Sequence, residues 1–278
     1  MSFSNTFKEL IEYIKEYGIE SKPRDLKVKE ALLTEVDIDP NMPIANFKNR
    51  SFNWKYLAGE LAWYLHRDRD VDYISNFSSF WKGITNPNTN QINSNYGNLV
   101  INNKQFSWVI EALKKDKNSR QAIMFFNRPD FQFEGNKDFV CTMYANFFIR
   151  NNRLMMKIQM RSNDIFYGLT FDAPFFSFLH QSVWHILKET YPELKLGQYF
   201  HYADNIHFYE RHFELANKIL QEDTFEEDRF ILKKPFIEYK NDNIRLSDSA
   251  IEFCNRIDYS LSKDGVNYKS ILLDYFDI

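Results

Sequence analysis

Cysteine is scarce: the 278-residue chain holds two, Cys141 and Cys254. Two thiols cannot staple a chain of this length, so a disulfide scaffold is excluded and a reducing compartment is expected. Glycine is scarce too, at eight residues. Neither G-x-G-x-x-G nor the P-loop pattern occurs, which removes the common glycine-rich phosphate cradles. The Cys and His residues lack zinc-site spacing, so no metal is expected. No run approaches the roughly 18 uninterrupted apolar residues of a membrane span. The start, "MSFSNTFKELIEYIKEYG", mixes acids with lysines and is not a signal peptide. Repeats, low-complexity tracts and Pro/Gly/Ser linkers are missing as well. A net charge of −3 gives no basic footprint for a nucleic-acid polymer, though a single nucleotide needs only a local arginine cluster. These absences predict a soluble, cytoplasmic protein.

What the chain has is aromatic mass, 27 Phe and 16 Tyr, enough for a large core. Phe7, Leu10, Ile11 and Ile14 predict a first amphipathic helix that Gly18 ends. "NWKYLAGELAWYLHR" and "KQFSWVIEALKKD" predict two more, and "APFFSFLHQSVWHILKETY" a long buried one. "RQAIMFFN" (120–127), "CTMYANFFI" (141–149) and "RLMMKIQMRS" (153–162) read as strands, the last two joined as a hairpin by "RNN". "IHFYERHFELANKILQED" reads as another helix. Beyond about residue 224 the pattern weakens, with "SKDGVN" as a turn. Helices flanking a mainly antiparallel or mixed sheet predict an α+β fold in one domain spanning residues 1–278.

Several residues carry chemistry, each with a plainer alternative. Cys141 opens a strand, where a thiolate needs positive charge or a donor nearby; a lone intracellular Cys is otherwise a small core residue. Arg161 and Ser162 at a strand end offer donors for a phosphate, or Arg161 pairs with Asp164 on the surface. Arg120 and Arg24 are weaker versions of the same idea. His207 and Tyr209 point the same way only if their segment is extended, when they would grip a sugar hydroxyl; otherwise they edge a core. His201 and His212 read as surface or second-layer residues. Glu60, inside an apolar helix, is either a boundary residue or a buried carboxyl with a raised pKa.

In order, these segments resemble the thymidylate synthase superfamily. "GELAWYL", "FW", "NYG", "NSR", a cysteine opening a strand, "RSNDIFYGLTFD" and "HFY" follow one another from about residue 20 to residue 213, and residues 214–278 carry no matching motif. The resemblance makes Cys141 the nucleophile that adds to pyrimidine C6. It gives Arg161, Ser162 and Arg24 the phosphate, and lends Arg120 to the partner's phosphate across a homodimer. His207 and Tyr209 take the sugar 3′-hydroxyl, Glu60 and Tyr96 the proton-relay water, and Asp164 and Trp81 the folate. The co-substrate is then 5,10-methylenetetrahydrofolate. The chain departs from the pattern at Gln121, where the family has a second arginine, and at Thr142, where many members have histidine. The tail "LLDYFDI" also does not resemble the synthase tail that closes over the cofactor.

Asp172 is the departure that bears on substrate. Synthases acting on dUMP have asparagine there, whose amide accepts from uracil N3–H and donates to O4. Cytosine reverses both, and an acidic side chain accepts from its 4-amino group. As an ordinary helix N-cap ahead of "APFFSF", Asp172 would have a structural role instead, and the two roles are compatible. Aspartate here resembles the dCMP hydroxymethylases, known from phages, which would make the setting a host cytoplasm. The implied reaction joins Cys141 to C6 of dCMP, moves the one-carbon unit to C5, and adds water to the exocyclic methylene to give 5-hydroxymethyl-dCMP and tetrahydrofolate. A methyl product, a CMP or dUMP substrate, and a non-catalytic nucleotide-binding relic are the competing readings.

Overall fold

In the computed structural model, which describes residues 2–278, the amino-terminal periodicity produces the expected helix. Phe3, Phe7, Leu10, Ile11 and Ile14 line the buried side of α1 (Phe3–Tyr17), and the Gly18 N–H closes its last turn on the Ile14 carbonyl. Strands β1 (Ile19–Ser21) and β2 (Val28–Ile38) follow, then α2 (Trp54–His66), α3 (Val71–Ser75), α4 (Tyr96–Val100) and α5 (Gln105–Lys115). Next come β3 (Ile123–Phe125), β4 (Thr142–Arg150), β5 (Arg153–Met160) and β6 (Asn163–Asp164). A π-helical turn (Ile165–Leu169) leads into α6 (Thr170–Thr190), β7 (Lys195–Tyr209) and α7 (Phe213–Leu220).

The main sheet runs β1-β2-β7-β5-β4-β3, with β6 also beside β7. β5 and β6 lie parallel to β7, and the other pairs are antiparallel, so the sheet is mixed. The β4–β5 hairpin turns on Asn151 and Asn152, both with positive φ (49° and 56°), the conformation a two-residue turn between twisted strands requires. Along one side of the sheet lies α6, whose Phe176 packs on Tyr199 and whose His180 bonds the Leu154 carbonyl at 2.9 Å. Burying a Phe of this kind stabilises the fold by about 2–3 kcal/mol.

"IHFYERHFELANKILQED" is not one helix. Ile206–Tyr209 end β7, a 3-10 turn covers Glu210–His212, and α7 starts only at Phe213. Pairing decides this: β2 runs antiparallel to β7 as far as Val28–Tyr209, and β6 holds Ile206 and His207 from the other side. Local amphipathicity loses to two flanking ladders.

Beyond residue 224 the chain is ordered into β8 (Ile231–Leu232), β9 (Ile237–Lys240), β10 (Asn243–Leu246), α8 (Asp248–Ser260), α9 (Tyr268–Tyr275) and β11 (Phe276–Asp277). Ser247 and Asn267 cap α8 and α9 through their side chains. Gly265, at φ 68°, makes the expected "SKDGVN" turn. β11 pairs with β8, and Phe276 stacks on Phe230 at 4.2 Å. Among the described residues no helix is long and apolar enough to cross a membrane.

Candidate active site

Cys141 immediately precedes β4, and Arg161 immediately follows β5, so the hairpin brings them together. The Arg161 N–H donates to the Cys141 carbonyl at 2.9 Å, and its Nη2 lies 3.4 Å from Sγ. The same guanidinium holds the approach to the cysteine: Nε donates to the Val140 carbonyl at 3.2 Å, Nη2 to that of Phe139, and the group lies over the Phe139 ring. Burial pushes the thiol pKa up, Arg161 pulls it down, and the charges of Asp172 and Asp138 raise it. Arg161 therefore faces the cysteine rather than pairing with Asp164. Asp138 ties this segment to the loop before α4, accepting from the Asn93 and Ser94 N–H groups at 2.6 and 2.7 Å.

That loop delivers Tyr96. Its hydroxyl accepts from Thr142 Oγ1 at 2.8 Å, and its ring stacks on Tyr64 of α2 at 5.3 Å. The neighbouring Gly97 is required, since a Cβ there would sit 1.6 Å from the Tyr64 carbonyl oxygen. On α2, Glu60 is 6% exposed, which settles its alternatives in favour of a buried carboxyl. Tyr56 and Tyr64, one turn before and after it, both donate to Oε1, at 2.8 and 3.2 Å. Trp81 in turn donates to the Tyr56 hydroxyl at 3.1 Å. Burial raises Glu60 to about 8, against its two tyrosine donors.

Asp172 is the third residue of α6 and does not cap it; the helix begins earlier, through the π-helical turn, and no side chain caps its start. Its Oδ2 accepts from Asn163 Nδ2 at 2.7 Å, and burial pushes the carboxyl up to about 7. Asn163 Oδ1 is bonded to His201 Nε2 at 3.1 Å, and His201 Nδ1 to the Tyr199 hydroxyl at 2.7 Å. This chain of three behind Asp172 carries no local sequence signal, because parallel pairing of β6 on β7 assembles it from residues 38 apart.

His207 and Tyr209 are extended on β7, their rings 5.3 Å apart, beside the strand that follows Arg161 and Ser162. His207 Nδ1 is bonded to Asn205 Oδ1 at 2.9 Å, and burial lowers its pKa to about 4, so Nε2 is left as an acceptor. Arg24 sits in an exposed 3-10 turn, and its charge reaches both Cys141 and His207. Ser162 is half-buried between β5 and β6. Asp164 starts the π-helical turn, accepting from the Phe166 N–H at 2.8 Å, and burial raises it to about 6. Arg120 is exposed, just before β3, and within one chain no hydrogen bond or ion pair among the described residues holds it.

Among the described residues no group of three His, Cys, Asp or Glu side chains could hold a metal. A cavity of about 380 Å³ lined by Lys233, Phe236, Arg256 and Tyr275 contains none of the residues above.

The sequence profile of the thymidylate synthase family matches residues 5–260. Similar proteins include deoxycytidylate 5-hydroxymethyltransferase of Enterobacteria phage T6, 27% identical over 212 residues, which cover 72% of this chain and 86% of that one. Thymidylate synthase of Mycoplasma genitalium is 25% identical over 245 residues, covering 76% and 82%. Deoxyuridylate hydroxymethyltransferase of Bacillus phage SP01 is 27% identical over 207 residues, covering 67% and 52%. With a profile match over most of its length and a cysteine, an arginine and a buried glutamate in the order of the motifs, the chain belongs to the thymidylate synthase family.

Proposed function

We propose that the chain is a deoxycytidylate 5-hydroxymethyltransferase. The observation that carries this reading is Asp172: a carboxyl close to its half-ionised point, held through Oδ2 by Asn163, with Oδ1 bonded to no other described residue. A carboxylate accepts from the cytosine 4-amino group, and its protonated form also donates to N3. Uracil would set its O4 against an acceptor oxygen, leaving buried polar groups unpaired at roughly 1–3 kcal/mol each.

The other residues take roles that suit a covalent one-carbon transfer. Cys141, with Arg161 beside its sulfur, is the nucleophile toward C6. Arg161, Ser162 and Arg24 hold the phosphate. His207 Nε2 accepts from the sugar 3′-hydroxyl and Tyr209 completes that grip. Asp164, with acceptor capacity beyond the Phe166 N–H, fits the adjacent donors of a pterin, and Trp81 offers an indole wall; these are the groups that would hold the folate. When bound, 5,10-methylenetetrahydrofolate supplies the one-carbon unit. Glu60, at about 8, is poised to pass a proton to or from water, and Tyr96 stacks on Tyr64, one of its two donors. In this reading water is the final nucleophile, adding to the exocyclic methylene.

A homodimer is part of the reading. The sheet face turned away from α6 carries Ile123, Phe125, Phe148, Met155, Phe200 and Tyr202, none of them fully buried. A second copy would cover that face, and Arg120, at one end of it, would reach the partner's phosphate. The whole chain is read as one catalytic domain.

The test is mass spectrometry of products from dCMP, dUMP and CMP, each with methylenetetrahydrofolate. A hydroxymethyl product from dCMP alone supports the assignment. A methyl product from dCMP keeps Asp172 as base reader and overturns water as nucleophile. Preferential turnover of dUMP or CMP overturns the substrate.

A further inference from the structure

The base-reading carboxyl is not free to choose which of its oxygens carries a proton. Its Oδ2 receives the Asn163 Nδ2 hydrogen bond at 2.7 Å. An Asn amide has one donor end and one acceptor end, so the bond holds only while Asn163 keeps its orientation. Two buried groups enforce that orientation. His201 Nε2 lies 3.1 Å from Asn163 Oδ1, an acceptor, so Nε2 carries the single proton of the neutral ring and Nδ1 accepts from the Tyr199 hydroxyl at 2.7 Å. His201 and Tyr199 are both 0% exposed, so water cannot take over either bond. A Tyr hydroxyl that donates to Nδ1 puts the imidazole proton on Nε2, which is the tautomer Asn163 needs. The close approach is protected from the other side: a Cβ at Gly168 would lie 2.7 Å from Asn163 Nδ2 and 3.5 Å from Asp172 Oδ2.

We infer that Asn163 is a specificity-determining positioning residue: held by His201 and Tyr199, it makes Asp172 Oδ2 a permanent acceptor, and Oδ2 is the oxygen that receives the 4-amino group of cytosine. This rests on the reading of Asp172 as the base contact. With Oδ2 facing an incoming N–H donor, any proton on the carboxyl resides on Oδ1, where it donates to cytosine N3. Uracil needs the reverse, a proton on Oδ2 to donate to O4, and the Asn163 donor disfavours that proton because a protonated oxygen is a weaker acceptor for its N–H. Removing the Asn163 donor lets the proton move to Oδ2, where the protonated carboxyl imitates an asparagine amide toward uracil. Discrimination against uracil therefore resides in Asn163 and its two supports as much as in Asp172.

The experiment compares kcat/KM for dCMP and dUMP in wild type, Asn163→Ala, His201→Phe, His201→Gln and Asp172→Asn. Asn163→Ala and His201→Phe are expected to lower the dCMP:dUMP ratio at least tenfold, with dUMP turnover rising in absolute terms, which structural damage would not produce. His201→Gln keeps a donor toward Asn163 Oδ1 and is expected to recover most of the ratio lost in His201→Phe. If the two positioning variants keep the wild-type ratio, or shift it toward dCMP, the inference is overturned, even where Asp172→Asn inverts the preference and so upholds Asp172 as the base contact. If Asp172→Asn leaves the ratio unchanged, the underlying reading fails instead. Should His201→Phe not fold, the Asn163→Ala ratio decides alone.

Discussion

The Arg161 guanidinium ends 3.4 Å from the Cys141 sulfur while its own backbone N–H donates to the Cys141 carbonyl. One residue thus fixes the backbone at Cys141 and opposes the burial that raises its thiol pKa. Arg161→Ala should move the pH–rate curve for Cys141 alkylation by iodoacetamide to higher pH. Reaction near pH 8 should then slow by roughly tenfold for every pH unit the curve moves. Arg161→Lys should recover part of the rate, because a point charge replaces the fork without its second hydrogen bond. An unchanged curve in Arg161→Ala would mean the guanidinium does not act on the sulfur.

Glu60 makes stability depend on pH. In the unfolded chain it ionises near its ordinary value of 4.5, and in the fold near 8, because burial disfavours the charge. Between those values the folded state keeps a proton that the unfolded state releases. Raising the pH through this window therefore lowers stability, and the contribution is fully present only below about 4.5. Asp172, raised from 3.8 to about 7, acts in the same direction. Glu60→Gln removes one ionisation and should be more stable than wild type at pH 8.5 by a few kcal/mol, on the order of 2–4, while matching it at pH 5. Urea unfolding at the two pH values checks this. Equal differences at both would show that Glu60 titrates normally.

How much of this was legible depended on whether the determinant was local. The β4–β5 hairpin announced itself through Asn151 and Asn152, which accept the left-handed backbone the turn needs. The β9–β10 hairpin has the same signal in Asn241 and Asp242, at φ 50° and 59°, between two alternating segments, and could have been found by the same reasoning. β2 and the end of β7 were not legible: the polar-rich β2 becomes a strand by pairing with β7, and the amphipathic pattern at the end of β7 is overridden by β2 and β6 on either side. In the site, Cys141, Glu60 and Asp172 stood out by residue type in an ordered set of motifs. Asn163 and Asp138 did not, because their partners at His201, Asn93 and Ser94 are brought to them by the sheet and a loop.

Arg120 tests the proposed dimer. Purified Cys141→Ala and Arg120→Ala proteins should each be inactive or nearly so at low dCMP. Mixed in equal amounts after reversible dissociation, half the dimers are hybrids, and one of their two sites has both an intact cysteine and an intact partner arginine. About a quarter of wild-type activity should return. No recovery, in a mixture whose subunits demonstrably exchange, would place Arg120 outside the partner's site.

The carboxyl terminus is built as core, which separates it from a closing lid. β11 is hydrogen-bonded to β8, Phe276 stacks on Phe230 at 4.2 Å and packs on Phe236 at 5.6 Å, and Phe276 is 0% exposed. Removing that ring leaves a cavity between packed aromatics, so Phe276→Ala should lower the free energy of unfolding by about 3–5 kcal/mol. A tail that closes over substrate would behave differently: it must detach and return in each cycle, and a stacked, fully buried ring held in a ladder resists detachment. Turnover per folded molecule at low temperature should therefore stay within about twofold of wild type, with unchanged KM for the folate. Urea titration and kinetics on the same preparation distinguish the cases. A stable Phe276→Ala protein with a large rise in folate KM would make the tail a lid after all.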